Sequence, residues 1–317
     1  MSVLAFVGRR VAALAAMLVV LSFLVFALLY LAPGDLVHSL LGARAVTPQA
    51  EAAIRAQYHL DDPFWVQYLR WLGAALHGDF GTSVRTGTPV AQMLEGRVGV
   101  TVTLAAISGV LAVGVGVPLG VRAARRRGSF EDRAITSASV VGVSAPGFAV
   151  GLVLLYVFAV MLGWFPLYGV GDGGLDRLWH LALPAAALAV GVGALVVKVT
   201  RTAVLRELDQ DYVTFARSRG LSGARVLRLY LRGAAVPIVT SVGLVLASLV
   251  GGSILVETTF ALPGLGVLLA DSITFKDVPV VQAVTLLLAT FIGVTTAVVD
   301  LFANLADPRV RRAAVAR

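Results

Sequence analysis

Apolar residues in this chain fall into long runs rather than alternating with polar ones. Six stretches, 11–31, 98–121, 134–161, 182–204, 236–257 and 280–303, are nearly unbroken in Leu, Val, Ala, Ile, Phe and Gly. A helix rising about 1.5 Å per residue needs about 20 such residues to cross a hydrocarbon core of roughly 30 Å. The pattern therefore predicts an all-α integral membrane protein with six transmembrane helices. The first run follows Arg9 and Arg10, as the apolar region of a signal peptide would. Val11 to Leu31 is longer than the roughly 7–15 residues of such a region, and no small-residue cleavage pattern follows, so it is expected to remain a span.

The runs divide the chain into an N-terminal transmembrane helix, 1–32, and an extracytoplasmic segment with short helices, 33–97. A five-helix core, 98–306, follows, with a cytoplasmic loop at 205–235, and the chain ends in a cytoplasmic tail, 307–317. Within 33–97, Thr47-Pro48 and Asp62-Pro63 read as N-cap and first-turn pairs. Phe64, Tyr68, Trp71 and Leu72 recur at helical spacing, a stripe suited either to the membrane interface or to a platform for a partner. Pro184, Pro237 and Pro279 read as helix starts, and Pro118 and Pro146 as kinks inside spans two and three. Gly116/Gly120 and Gly147/Gly151 have the four-residue spacing that lets helices approach closely. The Ser144, Pro146 and Gly147 kink frees a carbonyl that either lines a water-filled path or only shapes packing.

Charge supplies the orientation. With spans alternating sides, 19 basic residues fall on one side and seven on the other. Basic residues mark the cytoplasmic face, which places both termini in the cytoplasm. The net charge of +8 is then a topology signal, and no nucleic-acid partner is expected. Only 14 % of residues are charged, against roughly a quarter in ordinary globular domains.

Candidate chemistry is sparse. The chain has no cysteine, no phosphate-binding G-x-x-x-x-G-K loop, no metal-binding H-E-x-x-H helix and no G-x-S-x-G elbow. Its four histidines, His38, His59, His77 and His180, lack ligand spacing and read as surface residues, so no metal is expected. The spans hold almost no ionisable residue near their middles, unlike transporters driven by an ion gradient. The chain thus carries no energy source and no catalytic residue of its own, and uphill transport would need a partner.

One stretch stands apart. Residues 211–232, DYVTFARSRGLSGARVLRLYLR, hold five arginines between two apolar spans. Gly220 reads as a helix stop and Ser222 as an N-cap, giving two short helices around a Gly220-Leu221-Ser222 turn. Arg225, Arg228 and Arg232 share one face of the second, and Ala224, Leu227 and Leu231 another. The first presents Tyr212, Phe215 and Ala216. Such helices lie on anionic lipid or dock on protein; composition favours lipid, whereas Phe215 beside Ala216 suits a protein groove.

At these residues the chain resembles the permeases of ABC importers in the dipeptide, oligopeptide and nickel branch. The branch's cytoplasmic coupling loop runs D-Y-V-x-x-A-R-x-x-G-L-S, matched by Asp211, Tyr212, Val213, Ala216, Arg217, Gly220, Leu221 and Ser222. Thr214, Phe215 and Ala216 stand where the general importer motif has Glu-Ala-Ala. Two outward motifs also match. Leu60, Asp61, Pro63, Gln67, Tyr68, Trp71, Leu72, Gly78, Asp79, Gly81 and Ser83 follow one; Glu257, Phe260, Pro263, Gly264, Leu265, Gly266, Asp277, Pro279 and Gln282 follow the other. Asp307-Pro308-Arg309 matches the branch's ending. The resemblance implies a type I ABC importer permease in a bacterial cell membrane. It further implies a heterodimer with a second homologous permease, cytoplasmic ATPase subunits that bind ATP and magnesium, and an extracytoplasmic solute-binding protein. The solute expected is a di- or oligopeptide; a nickel or other metal chelate, a glutathione-like solute, or a channel or scaffold role are the alternatives. The coupling loop would meet the ATPase, and Tyr68, Trp71, Asp79, Glu257, Phe260 and Pro263 are candidates for contact with the binding protein.

Overall fold

A computed structural model describes residues 3–31, 47–49, 52, 55 and 61–306. Arg44, His38, His59, Leu60 and the 307–317 tail, to which the sequence assigned roles, lie outside the described residues. Those residues form helices α1 (Val3–Leu31), α2 (Phe64–Leu76), α3 (Val90–Leu94), α4 (Arg97–Arg125), α5 (Phe130–Ser144) and α6 (Gly147–Leu154), the last continuing as a π-helix over Leu155–Met161. Then come α7 (Gly174–Leu208), α8 (Asp211–Ser218), α9 (Gly223–Thr259), α10 (Leu265–Thr274) and α11 (Val278–Ala306). Among the described residues there is no strand beyond one isolated bridge, Thr82 to Pro89. Five helices are long and apolar enough to cross a membrane, or six when α5 and the α6 segment count as one bent span.

That bend is a break. The sequence pattern predicts one kinked helix over 134–161, but α5 and α6 meet at 106°. The cause is local: a residue before proline is pushed out of the helical region, and Ala145 sits at φ −79°, ψ 124°. Pro146 then occupies the N-cap position of α6.

Pro184 and Pro237 also differ from expectation. Both lie well inside helices, α7 and α9, rather than at their starts. A hydropathy run marks only the apolar part of a helix. The backbone continues through the more polar 174–181 and 223–235 because helical hydrogen bonding does not require apolar side chains. Pro279, by contrast, is the second residue of α11 as expected.

The chain forms two compact units. One comprises described residues of 9–101 and 263–291. In it α2 packs against α1: Phe23 stacks on Trp65 with centroids 5.5 Å apart and meets Tyr68 edge-on at 5.6 Å, and Phe26 lies 5.4 Å from Trp71. The Tyr68 hydroxyl is 2.9 Å from Ser22 Oγ. Pro63 takes the N-cap position expected of Asp62, its carbonyl accepting from Val66 and Gln67. The Asp62 carboxylate is engaged by Arg70 instead of by the helix N–H groups. Farther on, residues of two of the family-like motifs meet: Asp277 accepts from the Ser83 hydroxyl and, at 3.0 Å, from the Val84 N–H. Val90 and Leu94 complete that corner against Leu265, Leu268, Val280 and Val284.

The other unit comprises described residues of 102–262, with 3–8 and those from 292 onward. Its axis is α7, the helix with the most buried positions. The α4 helix approaches it at Gly116 and Gly120, where an added Cβ would sit 2.9 Å from the Gly193 carbonyl and 2.8 Å from the Val197 carbonyl. Gly142 of α5 lies against Ala194, and Gly151 of α6 against Ala187 and Phe260. The predicted close approaches are present at three of the four glycines; at Gly147 a Cβ would meet only the Ala187 carbonyl, at 3.9 Å.

A paired substitution tests this packing. Gly120→Ala forces α4 off the α7 backbone and should cost about 1–3 kcal/mol, as overpacking does. Gly114→Ala, with nothing within 4 Å of the new Cβ, should be neutral or slightly stabilising. Thermal melts of the two variants in the same detergent read the difference; equal melting would refute the close approach.

Candidate functional site

The basic stretch 211–232 folds as α8 followed directly by the first turns of α9. Two faces of α8 have opposite fates. Val213 and Ala216 are buried, 1 % and 4 % exposed, among Ala203 and Val204 of α7 and Val226, Tyr230 and Ala234 of α9. Phe215 is 57 % exposed, with the Arg219 guanidinium 4.6 Å from its ring centroid. Burying two small side chains lets α8 lie close to its neighbours, and the aromatic is left on the outside.

Three devices fix its position. The Tyr212 hydroxyl donates to Glu207 at the end of α7. Burial, with the Glu207 carboxylate, pushes the Tyr212 phenol up to about 12, so it stays protonated and a donor at any physiological pH. Both groups rest against Gly233 of α9, where a Cβ would collide with the Glu207 carboxylate. At its end α8 closes with two reverse bonds, Leu221 N–H to the Ala216 carbonyl at 3.2 Å and Gly220 N–H to the Arg217 carbonyl at 2.9 Å. This closure needs a left-handed residue, and Gly220 supplies it at φ 75°.

The second helix differs from the expected short element. It runs unbroken from Gly223 to Thr259, because no proline-induced break or glycine stop interrupts it before the apolar span. Its inner face is Val226, Tyr230 and Ala234 with Leu227 and Leu231 partly buried, while Ala224 is exposed, a rotation from the face expected. Ser222 holds the N-cap position without a side-chain bond. Arg217, Arg225, Arg228 and Arg232 are exposed, and Asp211 lies in the first turn of α8.

A neighbouring constellation was not singled out from the sequence. Arg201 of α7 donates to Asp132 of α5 from Nε at 2.6 Å and from a terminal nitrogen at 2.8 Å. The Asp132 side chain is only 5 % exposed and also accepts from the Gly128 N–H. Ser129 caps α5 by accepting from the Asp132 N–H. Arg127 reaches Asp209 at 3.3 Å, and Glu131 binds Arg122 and Arg126. Two signals could have found it: Ser129-x-x-Asp132 is a capping pattern, and a lone arginine in an apolar run requires a counter-ion.

The remaining candidates are scattered. Ser144 and Pro146 are exposed at the α5–α6 break, and Gly147 is half-buried. An apolar groove of about 550 Å³ runs along α5 from Ala134 to Gly142, between α4, α5 and α7, lined by Leu111, Gly116, Ala138, Gly142, Ala189 and Gly193 among others. Tyr68, Glu257 and Phe260, expected as partner contacts, are 7 %, 0 % and 3 % exposed, buried within the chain. Trp71 is half-buried on the α1 side; Asp79 and Pro263 are exposed, the former accepting from the Gly81 N–H. No group of His, Asp or Glu among the described residues has metal-binding geometry.

Residues 116–312 match the family described as binding-protein-dependent transport system inner membrane component, and residues 3–105 match its N-terminal companion. A probable peptide ABC transporter permease of Sinorhizobium fredii is 38 % identical over 96 % of this chain and 99 % of its own length. The oligopeptide transport system permease protein AppB of Bacillus subtilis is 39 % identical over 96 % of this chain and 99 % of its own. The dipeptide transport system permease protein DppB of Escherichia coli is 34 % identical over 97 % and 99 %. Among solved structures, a chain of the MetNI methionine ABC transporter in inward-facing form matches with TM-score 0.56 and 19 % identity, covering 68 % of this chain and 97 % of that one, a likeness of fold.

The α8 closure makes a local prediction. Gly220→Val places a β-branched residue in the left-handed region and should destabilise the α8 turn by about 1–3 kcal/mol. Hydrogen exchange of the Gly220 and Leu221 amides should accelerate while the α7 amides remain protected; unchanged exchange would contradict the closure.

Proposed function

Since this chain belongs to the inner-membrane components of binding-protein-dependent transport systems, we propose that it is the permease subunit of an ATP-driven peptide importer. It is a multi-pass membrane protein and a permease, not an enzyme. The peptide assignment follows its near-full-length relatives, which are named for peptide, oligopeptide and dipeptide transport. A second homologous permease completes the translocation path, cytoplasmic ATPases bind ATP and magnesium, and an extracytoplasmic binding protein delivers the peptide. The excess of 19 basic residues over seven supports a cytoplasmic location for both termini and α8.

One observation carries the coupling role: α8 is anchored on its small-residue face and exposes Phe215 on the other. A helix so mounted is a rigid peg. An exposed aromatic on a fixed base is the kind of group that anchors an interface. Phe215, with Tyr212 and Arg219 beside it, enters a groove on an ATPase, and the arginines of α9 meet acidic groups around its rim. On the opposite side of the membrane, Asp79, Pro263 and Trp71 are the candidate contacts for the binding protein. The α5–α6 break at Ser144, Pro146 and Gly147 lies beside the translocation path.

Reconstitution of the four-component importer tests this. Phe215→Ala should remove about 2–4 kcal/mol of interface energy and uncouple transport from ATP hydrolysis while the spans still assemble. Arg228→Ala, at a solvated rim, should change coupling by under about 1 kcal/mol. If Phe215→Ala transports normally while the arginine change abolishes membrane assembly, α8 is a lipid-facing helix and the reading fails. Mass spectrometry of the ligand that co-purifies with the binding protein should show short peptides; a metal chelate would overturn the substrate.

A further inference from the structure

The groove between α4 and α5 isolates α5. On the groove side α5 presents Ala134, Ile135, Ala138 and Gly142, facing Leu111 and Leu119 of α4 across open space. Apart from the exposed Arg122–Glu131 pair with α4, its attachment within this unit is therefore mainly to α7, and that attachment has two ends of different character. At the far end Gly142 lies against Ala194, a close van der Waals contact without a directional bond. At the near end Arg201 grips Asp132 through two hydrogen bonds, 2.6 and 2.8 Å long, in a fork geometry that fixes angle as well as distance. Asp132 is itself locked to the α5 N-terminus by the Gly128 N–H and the Ser129 cap.

Arg201 stands two residues before Ala203 and Val204, which are the α7 part of the seat of α8. Arg127, in the loop that leads into α5, reaches Asp209, the residue that ends α7 just before α8 begins. Two ionic links thus join the α5 N-terminus to the stretch of α7 that carries α8. The Arg127–Asp209 link is solvent-exposed and weak, whereas the Asp132–Arg201 link is shielded.

We propose that the Asp132–Arg201 pair is a strut that makes α5 move with α8, so that displacement of α8 is delivered to the α5–α6 break. Both residues are positioning residues, and the proposal rests on the coupling role assigned to α8. Three features agree with it: the strut spans the only end of α5 held by directional bonds among the described contacts, it lies beside the seat of α8, and α5 leads into a sharp break rather than a continuous helix.

The experiment uses the complete importer in proteoliposomes and reads peptide transported per ATP hydrolysed. Asp132→Asn keeps the size and one carbonyl acceptor but loses the charge-assisted fork. It should lower that ratio about tenfold, the equivalent of roughly one charged hydrogen bond, while ATP hydrolysis continues. The double reversal Asp132→Arg with Arg201→Asp should recover a substantial part of the ratio. A role confined to stability would reduce the amount of assembled complex and leave the ratio unchanged, and that result overturns the strut.

A second measurement does not depend on transport. The chain has no cysteine, so spin labels at Ser218→Cys on α8 and Val140→Cys on α5, both exposed positions, report a single distance. That distance should stay fixed between nucleotide-free and ATP-trapped states in the parent chain and should shift in Asp132→Asn. The same response to ATP with and without Asp132→Asn refutes the proposal. Phe215→Ala in the same assay separates the two ideas: if it leaves the ratio intact, the coupling role of α8 fails; if it uncouples and Asp132→Asn does not, only the strut fails.

Discussion

The larger unit depends on the closeness with which other helices reach the backbone of α7. Inside hydrocarbon no hydrophobic force distinguishes protein from lipid, so association depends on packing contact and on interhelical polar groups. Gly116 and Gly120 remove the side chains that would hold α4 away, and Gly142 does the same for α5. With α7 held on these sides, its end becomes a fixed base. The α8 helix is built on that base through Val213 and Ala216, residues small enough to keep it close.

The consequence is a division of labour along one short helix. Its inner face is committed to the fold, and its outer face is free to be used. Phe215 would ordinarily be withdrawn from water, since an exposed aromatic ring gains nothing by remaining there. Here Val213 and Ala216 occupy the inner positions, and Phe215 remains outside with Arg219 over its ring. The smaller unit uses different physics. Its α1–α2 contact is aromatic, and its other end is tied by a buried aspartate, Asp277, that receives a hydroxyl and a backbone N–H.

The apolar runs announced the spans, because length and hydrophobicity are the whole requirement for crossing a bilayer. The turn at Gly220 was also legible, since glycine ahead of a Ser N-cap is a common helix stop, and it does take the left-handed closure. Helix ends were not: α7 and α9 extend through polar turns and past Pro184 and Pro237, which hydropathy reads as boundaries. The face of α9 was misassigned at Ala224 because composition cannot tell which side of an amphipathic helix meets the neighbour. Asp132 and Arg201 stand 69 positions apart, so sequence signals could flag each residue singly while only the fold joins them. Burial of Glu257 and Phe260 was likewise invisible in motifs that present them as a contiguous outward segment.

The central claim is that the exposed face of α8 is the point at which an ATPase grips the permease. A photoreactive phenylalanine analogue at Phe215, in otherwise intact cells expressing the whole importer, tests it directly. Irradiation should yield a covalent adduct with the ATPase subunit, diminished when the neighbouring Gly220 is replaced by valine. Adducts formed with lipid alone, or with no protein partner while the importer is assembled and active, would contradict the account.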